Sequence, residues 1–292
     1  AAGGCHGNTI PNRYWTLGAA ARHFYKMAIT IHNDHEIEAL TRAGAVAAAT
    51  LREIGQRIRP GITTAQIDRW VREDTERRGA TPSQLGYHGF PAAVCTSVNE
   101  VVCHGVPSEK VLLQAGDIVN VDVTSCFHGF HGDTSRTFVL GEVSAQAKRV
   151  TQAAQACLAA GIRAVVPGAR LGDIAAAVMK VAARFDCGLV EAYGGHGIGR
   201  SMHMPPHVPH VGRAGCGVRL RPGMALTIEP MLTIGRPKLV TLDDGWTVVT
   251  ADGTPSAQFE HTIIVTQTGA KVLTLGETER VAKDINEQHR SR

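Results

Sequence analysis

The sequence is poor in the features that mark several protein classes. Its seven Cys (5, 95, 103, 126, 157, 187 and 216) include no CxxC pair, which argues against a disulfide framework or a structural zinc knuckle. An odd, scattered set of thiols fits a reducing compartment, so a cytoplasmic location is expected. No run comes near the roughly 20 apolar residues of a membrane span, and the first thirty residues lack the apolar core of a signal peptide. No membrane contact is expected. There are only three Trp and four Tyr, and Lys and Arg are scattered under a net charge of +4. That is too little ring stacking and massed charge for specific nucleic-acid binding. The first residue is Ala rather than Met, as processing or trimming would leave it.

The rest is ordinary globular material: 292 residues, 43% hydrophobic and 19% charged, enough for one large domain or two small ones. Residues 1–33 contain Gly3, Gly4, Gly7 and Pro11 without a period and read as an irregular N-terminal extension. From Asp34 an apolar face at Ile37, Leu40, Val46, Leu51, Ile54 and Ile58 predicts a helix stopped by Pro60-Gly61. Thr63 or Thr64 caps a second helix over 65–78, closed by Gly79. A short strand is expected near 92–97, then the Asn99-Glu100 turn. Ser144 begins a third helix running to about Val165, and a fourth covers 171–185.

One stretch organises the chain. The run from Asp117 to Phe138 is two β-prone segments around a Gly-containing turn, with Asp122 on the first and Asp133 on the second. A turn centred between Phe127 and His128 sets the two aspartates directly opposite, with Cβ atoms roughly 5 Å apart. Carboxylates that close repel unless they share a proton or a cation. An acid pair needs nothing more, whereas a metal needs further ligands. His196, in the Gly194–Gly199 run, Glu229 and Glu260 supply them in strand-end or Gly-rich settings.

The chain also repeats itself. Pro167-Gly168 lies 107 positions after Pro60-Gly61, and Leu220–Glu229 lies 107 after Leu113–Asp122. Two matches at one offset imply two similar halves, each built as helix, turn, helix, strands. Each half then delivers one carboxylate, Asp122 or Glu229, from the end of the same strand. Four carboxylates and an imidazole suit a dinuclear site holding Mn, Fe(II), Co or Zn.

Gly86–Pro91, Cys95–Pro107, Val121-Asp-Val, Gly132-Asp-Thr, Gly194–Arg200, His203–His207, Ile228-Glu-Pro, Gly245–Thr250 and Ser256–Thr262 occur in order. Over about 34–275 the chain resembles a type I methionine aminopeptidase. The resemblance implies an α+β pita-bread fold: an antiparallel sheet in pseudo-twofold halves with helices on its outer face. It also implies that 34–292 form a single catalytic domain. By similarity, Asp122, Asp133, His196, Glu229 and Glu260 hold two divalent ions, with Asp133 and Glu260 bridging. Glu229 shuttles a proton, His203 donates to the scissile carbonyl and His104 meets the scissile nitrogen. Tyr87, Phe90, Cys95, Met202 and Trp246 line the methionine pocket; relatives often have Tyr at Phe90 and Phe at Met202. Backbone around Asn99 and Val101, with Ser256, is the corresponding place for a monovalent cation. The implied activity removes N-terminal Met before a small second residue from nascent chains, by a monomer, with the ribosome as a candidate partner. His88, His128, His131, His207 and His261 are read as supporting or structural.

Two rivals share the fold. Proline peptidases carry a large N-terminal domain, where this chain has about 33 residues before its first helix. Binding proteins of the fold that have lost their metals lack the ligands, and here all five are present.

Overall fold

The computed structural model describes residues 28–235 and 238–275. The expected extension lies outside the described residues up to position 27, as does the end of the expected domain beyond Leu275. Residues 28–33 run irregularly along the main body, where the His32 amide donates to Gly223 O at 2.8 Å.

Four helices are seen among the described residues, and capping fixes their starts. In α1 (Asp34–Gly55) the Asn33 side chain accepts from the Glu36 amide at 3.1 Å, and Asp34 and Glu36 lie against the positive end of the helix dipole. It ends at Gly55 rather than Ile58, since glycine is the poorest helix former after proline. Ile58 still packs on the core. Thr63 Oγ1 accepts from the Gln66 amide to start α2 (Thr64–Arg77), and Ser144 Oγ from the Ala147 amide to start α3 (Ala145–Arg163). Before α4 (Leu171–Arg184), Asp173 accepts from the Arg170 and Gly215 amides, both at 2.7 Å.

The strands of the first half are β1 (Thr81–Pro82), β2 (Cys95–Val98), β3 (Val101–Cys103), β4 (Ile118–Phe127) and β5 (Phe130–Val139). The second half adds β6 (Cys187–Leu189), β7 (Gly195–Gly197), β8 (Met204–Val208), β9 (Ala225–Ile228) and β10 (Met231–Ile234). After them come β11 (Leu239–Thr241), β12 (Val248–Thr250), β13 (Ser256–Gln258), β14 (Glu260–Val265) and β15 (Ala270–Val272). The main sheet runs β1-β4-β5-β14-β9-β7-β8, with β2 on β4 and β15 on β14. All its pairs are antiparallel. Two three-stranded sheets, β13-β10-β6 and β11-β12-β3, flank it. No helix among the described residues is long and apolar enough to cross a membrane.

Strand alternation separates core from site. On β4, Val119, Val121 and Val123 are at most 1% exposed and join Ile54, Ile67 and Val71 of the first two helices. Each such burial stabilises by about 1.5–3 kcal/mol. The alternate residues Asn120, Asp122 and Thr124 therefore take the other face. Directly paired residues share a face, so Asp133, Ser135 and Thr137 of β5, together with Glu260 of β14, join them. The second half packs α3 and α4 behind β9 in the same manner, through Cys157, Ile162, Val178, Leu226 and Ile228.

The repeat is visible bond by bond. Gly61 N donates to Leu113 O and, 107 positions on, Gly168 N to Leu220 O. Leu113 N to Ile62 O is matched by Leu220 N to Ala169 O, and Thr64 N to Val111 O by Leu171 N to Val218 O. The lone bridges Thr63↔Leu112 and Arg170↔Arg219 obey the same offset. Both turn glycines, Gly116 and Gly223, have positive φ (98° and 90°), which a side chain disfavours.

Candidate metal centre

The hairpin exists, but its register differs from the one expected. Phe127 pairs with Phe130, so the turn is His128-Gly129, both at positive φ (50° and 78°). This is the two-residue primed turn that matches the natural twist of a hairpin. Asp122 consequently faces Ser135, and Asp133 faces Thr124. The aspartates are diagonal neighbours rather than directly opposite. The slip is of two residues, so the face is unchanged, and their carboxyl groups are still close enough to hydrogen-bond.

The five candidate ligands meet on that face. Candidate ligand atoms of Asp133, His196 and Glu260 all lie within 4.8 Å of one another. His196 Nε2 is 3.7 Å from Asp133 Oδ2 and 3.6 Å from Glu229 Oε1. Asp122 is half-buried and the other four are buried. His196 Nδ1 lies 3.0 Å from Gly197 O, an acceptor, so the ring proton belongs on Nδ1 and the Nε2 lone pair faces the acids.

Electrostatics make this cluster ask for positive charge. Burial, then the charges of Asp133 and Glu229, push Asp122 well above the carboxylate range. Burial followed by neighbouring carboxylates does the same to Glu229 and Glu260. Asp133 is raised by burial to about 6, with the Thr124 hydroxyl holding it back. Burial lowers His196 to about 4, which keeps its imidazole neutral. Glu260 Oε1 is buried without a hydrogen-bond partner among the described residues. A buried orphan oxygen, clustered acids and an inward imidazole lone pair are the donor set of a divalent cation.

The expected substrate residues line the same cavity, of about 60 Å³. Phe90 and Trp246 meet edge to face at 5.2 Å, and Cys95 and Met202 are buried beside them. The His203 ring lies 4.3 Å from that of His196, and its Nδ1 is 2.8 Å from Tyr87 Oη. Burial depresses His203 far below the usual imidazole range, and His104 to about 4. His104 packs edge-on against Tyr193, with ring centroids 5.5 Å apart. Away from the cavity lining, the Ser256 amide donates to Asn99 O at 2.8 Å, so those two expected cation neighbours do meet.

Several supporting residues were not singled out from sequence. Thr124 Oγ1 donates to Asp133 Oδ1, and Thr227 Oγ1 donates to Glu229 Oε1 while accepting from the His196 amide. Thr124 lies two positions after Asp122 on β4, and Thr227 two positions before Glu229, which follows β9, so alternation alone could have found them. Gln258 Nε2 reaches Glu229 Oε2 at 3.3 Å, and the Glu229 amide donates to His210 Nε2. Gln84 donates to Asp122 O at 2.8 Å and accepts from the Thr124 amide. It arrives from a loop 38 residues upstream with no periodic signal. Of the histidines read as supporting, His131 bonds Ser83 and His261 bonds Thr274.

Residues 38–267 match metallopeptidase family M24. The chain is 49% identical over 249 residues to methionine aminopeptidase A of Synechocystis sp., covering 85% of this chain and 98% of that protein. It is 43% identical over 261 residues to the Escherichia coli methionine aminopeptidase, covering 89% and 99%. The Rickettsia prowazekii methionine aminopeptidase structure superimposes with a TM-score of 0.83 at 42% identity, over 85% of this chain and all of that one. A Bacillus anthracis Xaa-Pro dipeptidase gives 0.67 at 25% identity, and this chain spans only 63% of it. The pita-bread fold expected from the motifs is thus the fold of its neighbours, and the chain belongs to metallopeptidase family M24, among the methionine aminopeptidases.

Proposed function

We propose that the protein removes the N-terminal methionine from peptides and nascent chains whose second residue is small. The observation that carries this is the convergence of four carboxylates and His196 Nε2 on one cavity whose lining also includes Phe90, Cys95, Met202 and Trp246. Asp122, Asp133, His196, Glu229 and Glu260 would hold two divalent ions of the Mn, Fe(II), Co or Zn kind. Such ions, when bound, supply Lewis acidity that makes water nucleophilic near neutral pH.

The chain's own groups do the remaining work. Asp122 faces the free substrate amine and fixes the peptide by its end. Glu229, oriented by Thr227 and Gln258, carries a proton from the attacking water to the leaving nitrogen. His203 donates to the scissile oxygen as negative charge builds there. His104 holds the scissile nitrogen. Tyr87, Phe90, Cys95, Met202 and Trp246 enclose an unbranched thioether, with Met202 a wall that adapts to it. Residues 34–292 act as one catalytic domain of two halves, monomeric and cytoplasmic, with the ribosome as a partner. The Asn99–Ser256 junction binds a monovalent cation.

Incubation with Met-Ala-Ser and Ala-Pro peptides, with and without chelator, tests the reading. Chelator-sensitive release of Met supports it; cleavage at proline alone, or no turnover after divalent metal is restored, overturns it.

A further inference from the structure

We propose that Tyr87 is a positioning residue whose phenol sets the tautomer of His203, keeping the proton on the imidazole nitrogen that faces the scissile carbonyl. This deepens the peptidase reading and rests on it for the role of His203.

The argument starts from one contact. Tyr87 Oη lies 2.8 Å from His203 Nδ1, with ring centroids 5.1 Å apart. A neutral imidazole has one N–H and one lone pair, so the bond can run in two directions. If Nδ1 donates to the phenol, Nε2 is left as an acceptor, and a carbonyl oxygen gaining negative charge meets a lone pair. If the phenol donates to Nδ1, the imidazole proton sits on Nε2 and can stabilise that oxygen. The chemistry of the pair favours the second direction. A phenol O–H is a strong donor and an sp² imidazole nitrogen a strong acceptor, whereas the phenol oxygen is a weakened acceptor because its lone pair is delocalised into the ring. The contact is also the phenol's single hydrogen bond within the described residues, and donation to Nδ1 satisfies its hydrogen.

The local backbone is built to hold the phenol there. Tyr87 opens a one-turn 3₁₀ segment, Tyr87–Gly89, directly after Gly86, and Gly86, His88 and Gly89 all have positive φ (78°, 48° and 89°). Glycine adopts such angles freely, but His88 does so at a cost of about 1 kcal/mol or more. The Gly86 amide donates to Phe90 O at 2.8 Å and the Phe90 amide to Tyr87 O at 2.9 Å, closing the loop on itself. One loop thus delivers Phe90 as a pocket wall and Tyr87 as the orienting group, 116 residues from the histidine it addresses.

The test uses Tyr87→Phe, which keeps the ring and removes the hydroxyl. On a Met-Ala-Ser peptide, kcat is expected to fall about tenfold or more, but by no more than in His203→Ala, while KM and bound metal stay near those of the parent. The double variant Tyr87→Phe/His203→Ala should be no slower than His203→Ala alone, because the phenol acts only through the imidazole. Independently of activity, the ¹⁵N spectrum of the zinc-loaded parent should show His203, assigned by its loss in His203→Ala, as the Nε2–H tautomer. In Tyr87→Phe it should become a mixture. Multiplicative losses in the double variant, a change confined to KM, or an Nδ1–H tautomer in the parent would each overturn the proposal and leave the peptidase reading standing. Full turnover by His203→Ala would instead remove the carbonyl-donor role on which both depend.

Discussion

Asp133 bonds Thr124, stands near His196 and is diagonal to Asp122, so few side chains have less freedom. Asp133→Asn keeps the shape and replaces a charged oxygen with an amide, and it is expected to abolish turnover and lower bound metal together. Kinetics and elemental analysis on one preparation check this; normal metal content would displace Asp133 from the ligand set. His203→Ala is expected to lower kcat by about 10²-fold or more with metal retained, whereas metal loss would make it a ligand. Thr227→Val keeps the volume but strips the hydroxyl from both His196 N and Glu229 Oε1. Support groups of this kind are worth about 10- to 100-fold in metal affinity or rate, a loss that metal titration would detect. The candidate ligands were legible in sequence because acidic and imidazole side chains at strand ends and Gly runs have few other uses. The groups that orient them were not, because a Thr or a Gln gains meaning only from what lies across the fold.

At the scale of elements, close approach decides what is tolerated. Gly132 on β5 lies against Gly44 on α1, and a Cβ there would overlap the Gly44 N and Cα atoms. Backbone cannot swing aside as a side-chain tip can, so Gly132→Ala must push the helix off the hairpin. A destabilisation of about 1–3 kcal/mol is expected, read as a lower denaturation midpoint; an unchanged midpoint would mean that α1 is not seated as described. The hairpin also marks how far local pattern carries. Placing its turn midway between Asp122 and Asp133 found the right face and missed the register, because it weighed the symmetry of the acids above the φ > 0 preference of His128-Gly129. The helix starts at Thr63 and Ser144, each accepting from an amide three residues on, were readable from sequence, whereas the first helix was placed by its apolar face and its Asn33 cap was not read.

For the molecule as a whole, the seam matters most. β14 pairs with β5 of the first half and β9 of the second, and the candidate ligands come from both. Calorimetry is therefore expected to show one cooperative unfolding transition, shifted to lower temperature by chelator. Saturation at a hundred times the dissociation constant contributes about 2.7 kcal/mol. In the chelated protein the four acids have folded-state pKa values raised above the unfolded ones, Asp133 to about 6 and the others in the same direction. The unfolded chain then gives up these protons first, so the acids' contribution to stability falls as pH rises from about 4 through 6. The buried imidazoles act in the opposite sense, since His104, His196 and His261 are lowered by burial to about 4 and the unfolded chain holds their protons longer. The acid contribution is therefore read as a difference: from pH 5 to pH 7 the melting temperature of chelated Asp133→Asn should fall less, or rise more, than that of the chelated parent, and identical pH profiles would contradict the clustering of acids. The 107-residue repeat was legible from Pro-Gly and strand motifs, while the pairing of β14 with both halves had no local signature.

A peptide has a head and a tail, and a vise with identical jaws would grip it either way round. These jaws match along their outer hydrogen bonds and diverge where they close. By equivalent pairing, the second half presents His196 where the first presents Ser97, and Glu229 reaches one methylene further than Asp122. Those two inequalities give a nearly twofold frame its polarity, so the two ends of a bound peptide would meet different groups.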